Sequence, residues 1–313
     1  MIKLEIVKQY ETDHVEYLKS STTFNESTAV LLTINKEDKF DLTFVSEDEM
    51  YFITLEDLGS FFDLSDKPVL FSMNNYVGVI KNSTEIYLYA IGVRKPEIVT
   101  INNPILPAAI RLSYESPVSD SDALAVCFEK DYYSGQGRYL AFLNLDTDKK
   151  LANWESWMNL DTKTFTYHRD QKYPPKIDSA MLKKDDLYIF TSGGMTTSVH
   201  KWGMDYFALV KSTNKGVVTE TLLDSGDLTR DQKKRGVNGI FSSSEKYVLL
   251  TPVFQNDEWE GKQKIFSLET EELLTIEFPR SLGKYPQVID HYGNYFWVYL
   301  RDKKHFAICR EIH

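Results

Sequence analysis

AVLLT at residues 29–33, YVGVI at 76–80, LAVCF at 124–128, LYIFT at 187–191, YVLLT at 247–251 and YFWVY at 295–299 say nearly the same thing six times. Each is a short apolar run with the length and composition of a buried strand. Their starts are spaced by 47, 48, 63, 60 and 48 residues. Working outward, a second strand-like segment follows each run, at 42–46, 86–91, 139–145, 206–212, 264–268 and 305–310. A third follows most of those across short turns, as at 96–101, 216–223 and 273–278.

A recurrence of roughly 40 to 50 residues made of strands is what a sheet repeat leaves in sequence when each sheet can bury its faces only against its neighbours. It predicts an all-β chain: a six-bladed β-propeller, with seven blades as the alternative count, in which residues 1–313 form a single domain. The last repeat ends directly after its third strand, and residues 2–9 are a strand-like segment left over at the other terminus. That segment is expected to complete the last blade and close the ring, because closure removes exposed sheet edges. The turns Leu145-Asp146-Thr147-Asp148 and Leu268-Glu269-Thr270-Glu271 resemble the strand-turn-strand ends of blades in WD40-like and TolB-like propellers. The resemblance implies architecture alone, since the Gly-His and Trp-Asp signatures are absent.

Charge narrows the partners. Lys and Arg number 36 against 46 Asp and Glu, and the net charge of −10 repels nucleic-acid phosphates and anionic lipid surfaces. The expectation is a protein partner for a monomeric chain, with no nucleic acid and no membrane. The N-terminus, MIKLEIVKQYE, alternates apolar and charged residues, so it lacks the apolar core of a signal peptide, and no run reaches the length of a membrane span. A cytoplasmic location is the reading that follows. Cys127 and Cys309 stand among apolar neighbours and are read as buried reduced thiols.

Propeller topology turns chain position into location. Turns after the first and third strands of a blade lie at one end, and connections after the second and fourth lie at the other. The long segments are 129–138, 192–205 and 253–263 after second strands, with 159–175 and 224–237 after fourth strands. All of them fall at one end, over blades three to five, and loops on a rigid scaffold are where binding resides. Tyr132, Tyr133, Trp202, Trp259 and Arg235 are the expected binding residues, with Arg169, Arg230, Lys233 and Lys234 adding positive charge. Aromatic and arginine side chains are the types enriched at interface hot spots.

A second constellation comes from counting nine residues back from the start of each run. It gives Ser20, Lys67, Glu115, Asp178, Asn238 and, beside Gln287, Pro286. These positions are expected to ring the mouth of the central channel at the long-loop end. Oxygens of Glu115, Asp178 and Asn238 suit Ca²⁺ or Mg²⁺, and such an ion would polarise a carbonyl or activate water. The ring is similar in outline to the axial metal site of six-bladed lactonase-like hydrolases. That likeness implies a metal-dependent hydrolase or lyase as the alternative to a cofactor-free scaffold.

Other motifs dissolve. Asn144-x-Asp146-x-Asp148 with Glu155 matches part of a calcium loop, but Lys149 occupies the glycine position. His168-Arg169-Asp170 stands without any other kinase motif, and Gly135-x-Gly137 and Gly193-Gly194 lack a following helix to cradle phosphate. No two histidines stand at metal-ligand spacing, which leaves His200 as the histidine to consider for catalysis. The reading is a non-enzymatic scaffold that binds a protein.

Overall fold

The computed structural model describes the chain apart from residues 13–15, 25–26, 59–67, 74–75, 82–83, 91–92, 94, 103–110, 118–122, 130–137, 160–170, 174–175, 184–185, 193–194, 197–206, 214–217, 234–235 and 313. After β1 (Ile2–Tyr10), strands β2 (Glu16–Phe24), β3 (Thr28–Ile34), β4 (Phe40–Val45) and β5 (Met50–Thr54) pair antiparallel in chain order. The pattern recurs in β6 (Val69–Met73), β7 (Tyr76–Ile80), β8 (Glu85–Ala90) and β9 (Glu97–Ile101), then in β10 (Arg111–Pro117), β11 (Ala123–Glu129), β12 (Arg138–Asp146) and β13 (Leu151–Asn159). Next comes β14 (Gln171–Tyr173), and then a run of β15 (Lys176–Lys183), β16 (Asp186–Ser192), β18 (Phe207–Thr213) and β19 (Val218–Asp224), interrupted by β17 (Met195–Thr196), which pairs with β14. A fifth run is β20 (Val237–Phe241), β21 (Tyr247–Pro252), β22 (Lys262–Ser267) and β23 (Glu272–Glu277). The last is β24 (Pro286–Tyr292), β25 (Tyr295–Leu300) and β26 (His305–Glu311), and β1 pairs antiparallel along β26 from Leu4 opposite Glu311 to Tyr10 opposite Phe306. The chain is all-β and propeller-like, with curled sheets.

The first strands of successive runs touch. β2 meets β6, β6 meets β10, β10 meets β15 and β15 meets β20, while β24 contacts β21 and β22 on one side and β2 on the other. Two outer-strand junctions have no counterpart in the sequence reading: β23 pairs parallel with β1 through Ile276 and Glu277, and β9 pairs parallel with β13 through Thr100 and Ile101.

This packing explains why the second strands are apolar almost without interruption. In β25, Phe296, Val298 and Leu300 enter a cluster with Leu249, Ile265 and Ile276 of the fifth run. Trp297 and Tyr299, pointing the other way, enter a cluster with Tyr17, Ala29 and Leu31 of the first. A strand sandwiched between two neighbouring sheets is buried on both faces, so the alternation expected of a half-solvated strand disappears. Polar stitches cross the same seams: Trp297 Nε1 donates to the carbonyl of Val45 at 3.1 Å, and Ser179 Oγ donates to the carbonyl of Gly239 at 2.7 Å. Gly239 marks a close approach between sheets, since a Cβ there would lie 2.4 Å from the Phe190 ring. Cys309 is fully buried and free, and burial pushes its thiol up to about 12.

Candidate functional site

At the long-loop end, connections lace to one another. In the fourth run, β14, from the connection that enters it, pairs with β17, from the connection after its second strand. In the fifth run the same two connections are tied by side chain and backbone. Trp259 Nε1 donates to the carbonyl of Gln232 at 2.8 Å, and the Val253 amide donates to the carbonyl of Gly236 at 3.0 Å. Locally, Thr229 and Gln232 cap each other's amides, and the Lys233 ammonium donates to the carbonyl of Ser225. Asn256 accepts from the amide of Glu258 and starts a 3-10 turn over Asp257–Trp259, which swings the indole inward. Lys284 bridges Glu260 at 3.2 Å and Asp257 at 3.6 Å, and hydrogen bonding to Tyr285 and then Glu260 holds its ammonium above the ordinary lysine range. Phe254 remains 45% exposed on this platform.

Trp259 therefore differs from the expectation of an exposed hot spot. It is 4% exposed and packs with Leu228, Phe241 and Phe266, so its area is spent on anchoring its own loop. Arg230 is exposed, whereas Lys233 is half-buried and engaged. Tyr132, Tyr133, Trp202 and Arg235 lie outside the described residues, as do Arg169, Lys234, His168 and His200.

Strand register gives each of the three residues expected at the channel mouth its place within its own sheet. Asn238 stands opposite Thr251, the fifth residue of its core run, and Asp178 sits at a bulge between Ile177 and Ser179, near the equivalent Thr191. Glu115 stands opposite Val126, the third residue of its run. An equal count along the chain thus reaches different positions of the core runs. Among the described residues no group of three or more His, Cys, Asp or Glu could hold a metal ion. The 144–148 segment is the β12–β13 turn, where Asp146 accepts from the Lys149 amide at 2.9 Å and pairs with its ammonium at 2.7 Å.

Beneath the platform lies a cleft of 360 Å³ between the ends of β22 and β23 and the 232 and 258 loops. Lys262, Lys264, Thr275, Leu273, Leu274 and Trp259 line it, with Glu258 and Glu277. Lys264 Nζ donates to Thr275 Oγ1 at 2.7 Å, and its pKa is lowered, first by burial and then by Lys262. Counting along the chain did not find this cleft. The sequence signal is KQKIF paired across a turn with LLTIE, two lysines on one face of a strand opposite Glu277 and Thr275.

The opposite end carries a buried polar knot. Asp290 is 2% exposed and accepts four hydrogen bonds: from the amides of Ser243 and His291 at 2.8 Å, from Thr23 Oγ1 at 2.8 Å and from Ser243 Oγ at 2.6 Å. Burial raises its pKa while those donors pull the other way. His291 Nδ1 and Ser244 Oγ share a hydrogen bond at 2.7 Å, and burial, reinforced by Lys246, lowers the imidazole to about 4. A serine, a histidine and an aspartate meet here, but the carboxylate holds Ser243 and backbone rather than the imidazole ring. With His291 3% exposed, the knot is a three-sheet junction closed to substrate. An acid followed by a histidine inside the strand segment VIDHY was its signal.

No family model and no curated protein matches the chain. Among solved structures it is similar to a chain in the S. cerevisiae Dbp5 complex with Nup159, Gle1, IP6 and ADP, at 9% identity and a TM-score of 0.46, covering 100% of this chain and 96% of that one. It is similar to BamB from Moraxella catarrhalis, at 10% identity and 0.45, over 98% and 99% of the two chains. It is similar to the computationally designed Ika8 protein, at 8% identity and 0.43, over 97% and 100%. Likenesses this distant assign no family.

Proposed function

We propose that this protein is a non-enzymatic, six-bladed propeller scaffold, closed by β1 on the last blade, which binds a protein partner through the long-loop end of blades three to five. The observation that carries the reading is the lacing of long connections to one another at that end, in the fourth and the fifth runs alike. Ordering loops in advance lowers the entropy lost on binding, and an ordered platform with Phe254 and Arg230 outward has the character of a recognition surface. The pairing of β1 with β26 and the chain of contacts among first strands support the closed ring. Tyr132, Tyr133, Trp202 and Arg235 are the proposed contact residues, and Trp259 is their support.

The test is quantitative capture from native cells with three baits: the wild type, a loop-end variant carrying Tyr132→Ala, Trp202→Ala, Phe254→Ser and Arg235→Ala, and a turn-end variant carrying Lys246→Ala and Glu269→Ala. A protein enriched by the wild type and the turn-end variant, and lost from the loop-end variant, supports the reading. Equal capture by all three overturns it.

A further inference from the structure

We draw no further inference here: the strongest candidate, the surface patch of exposed carboxylates at the short-turn end made by Glu47, Asp48 and Glu49 of the β4–β5 turn and Glu269, Glu271 and Glu272 of the β22–β23 turn, carries nothing because it is an acidic cluster alone and nothing in the structure shows what covers it.

Discussion

The two ends of the β20–β23 sheet are both fastened by side chains, but by different physics. At the short-turn end, one buried carboxylate gathers four donors from three neighbouring sheets. At the long-loop end, one indole packs into the core and spends its single N–H on the carbonyl of Gln232. The first clasp joins sheets to each other; the second joins loops to a sheet. A charge in a dry site is worth much only while every donor stays in place, whereas an aromatic anchor tolerates adjustment around it. The difference teaches that the long-loop end, where recognition is proposed, has an anchor that leaves surface residues free to vary.

The largest expected effect tests the aromatic clasp. Trp259→Ala removes a nearly fully buried indole and should cost about 4 kcal/mol in denaturant unfolding. Trp259→Phe keeps most of the packing, loses the hydrogen bond and should cost about 1 kcal/mol. A cost under about 0.5 kcal/mol for the alanine variant is the outcome expected of a solvated loop residue, and it would return Trp259 to the surface.

Next is the polar knot. Asp290→Ala leaves two hydroxyls and two amides without their acceptor and should cost about 3 kcal/mol. The damage should extend to all three sheets. Amide exchange should rise in β2, in the β20–β21 turn and in β24 together, while the Trp259 loop stays protected. Exchange confined to β24 would mean that the carboxylate does not join the sheets.

The pH dependence separates two groups within the knot. His291 is lowered from 6.5 to about 4, so between those values the unfolded chain binds the proton that the folded chain refuses. Its contribution is complete above pH 6.5 and fades as pH falls towards 4, by at most about 3 kcal/mol. Asp290, raised by burial, has the opposite sign: its contribution is greatest below the ordinary aspartate pKa and declines as pH rises. Unfolding of His291→Gln and the wild type across pH 4–6.5 isolates the imidazole. The variant should lose the acid-side slope, and parallel curves would mean that the knot is open to water.

Legibility followed the same division. The core runs could be read because burial on both faces writes an uninterrupted apolar string, as in YFWVY. The pairing of β1 followed from a strand missing at one terminus and one left over at the other. The parallel junctions at Ile276 and Thr100 could not be read, because two residue pairs between outer strands impose no composition. Trp259 looked like a surface anchor, since a tryptophan in a polar loop has the same letters whether its ring turns out or in. What turns it in is the Asn256 cap and a 3-10 turn three residues long. The relative levels of Glu115, Asp178 and Asn238 could not be read by counting, because level in a sheet is set by register and not by distance along the chain.

The smallest effects belong midway between the ends, where the fourth and fifth sheets touch at Gly239. A methyl group there would meet the Phe190 ring at 2.4 Å, and that ring is fully buried and stacked on Phe207 at 5.7 Å, so it cannot swing into solvent. Gly239→Ala should therefore cost about 2 kcal/mol through overpacking, despite the entropy that alanine removes from the unfolded chain. Ser179→Ala takes the hydroxyl from the Gly239 carbonyl and should cost about 1 kcal/mol. The two sites are in contact, so the double variant should cost less than the sum: once the ring has forced the strands apart, the hydroxyl no longer reaches its acceptor. Strict additivity in the double-mutant cycle would show that the sheets do not share this seam, and the fastening would then rest on the two ends alone.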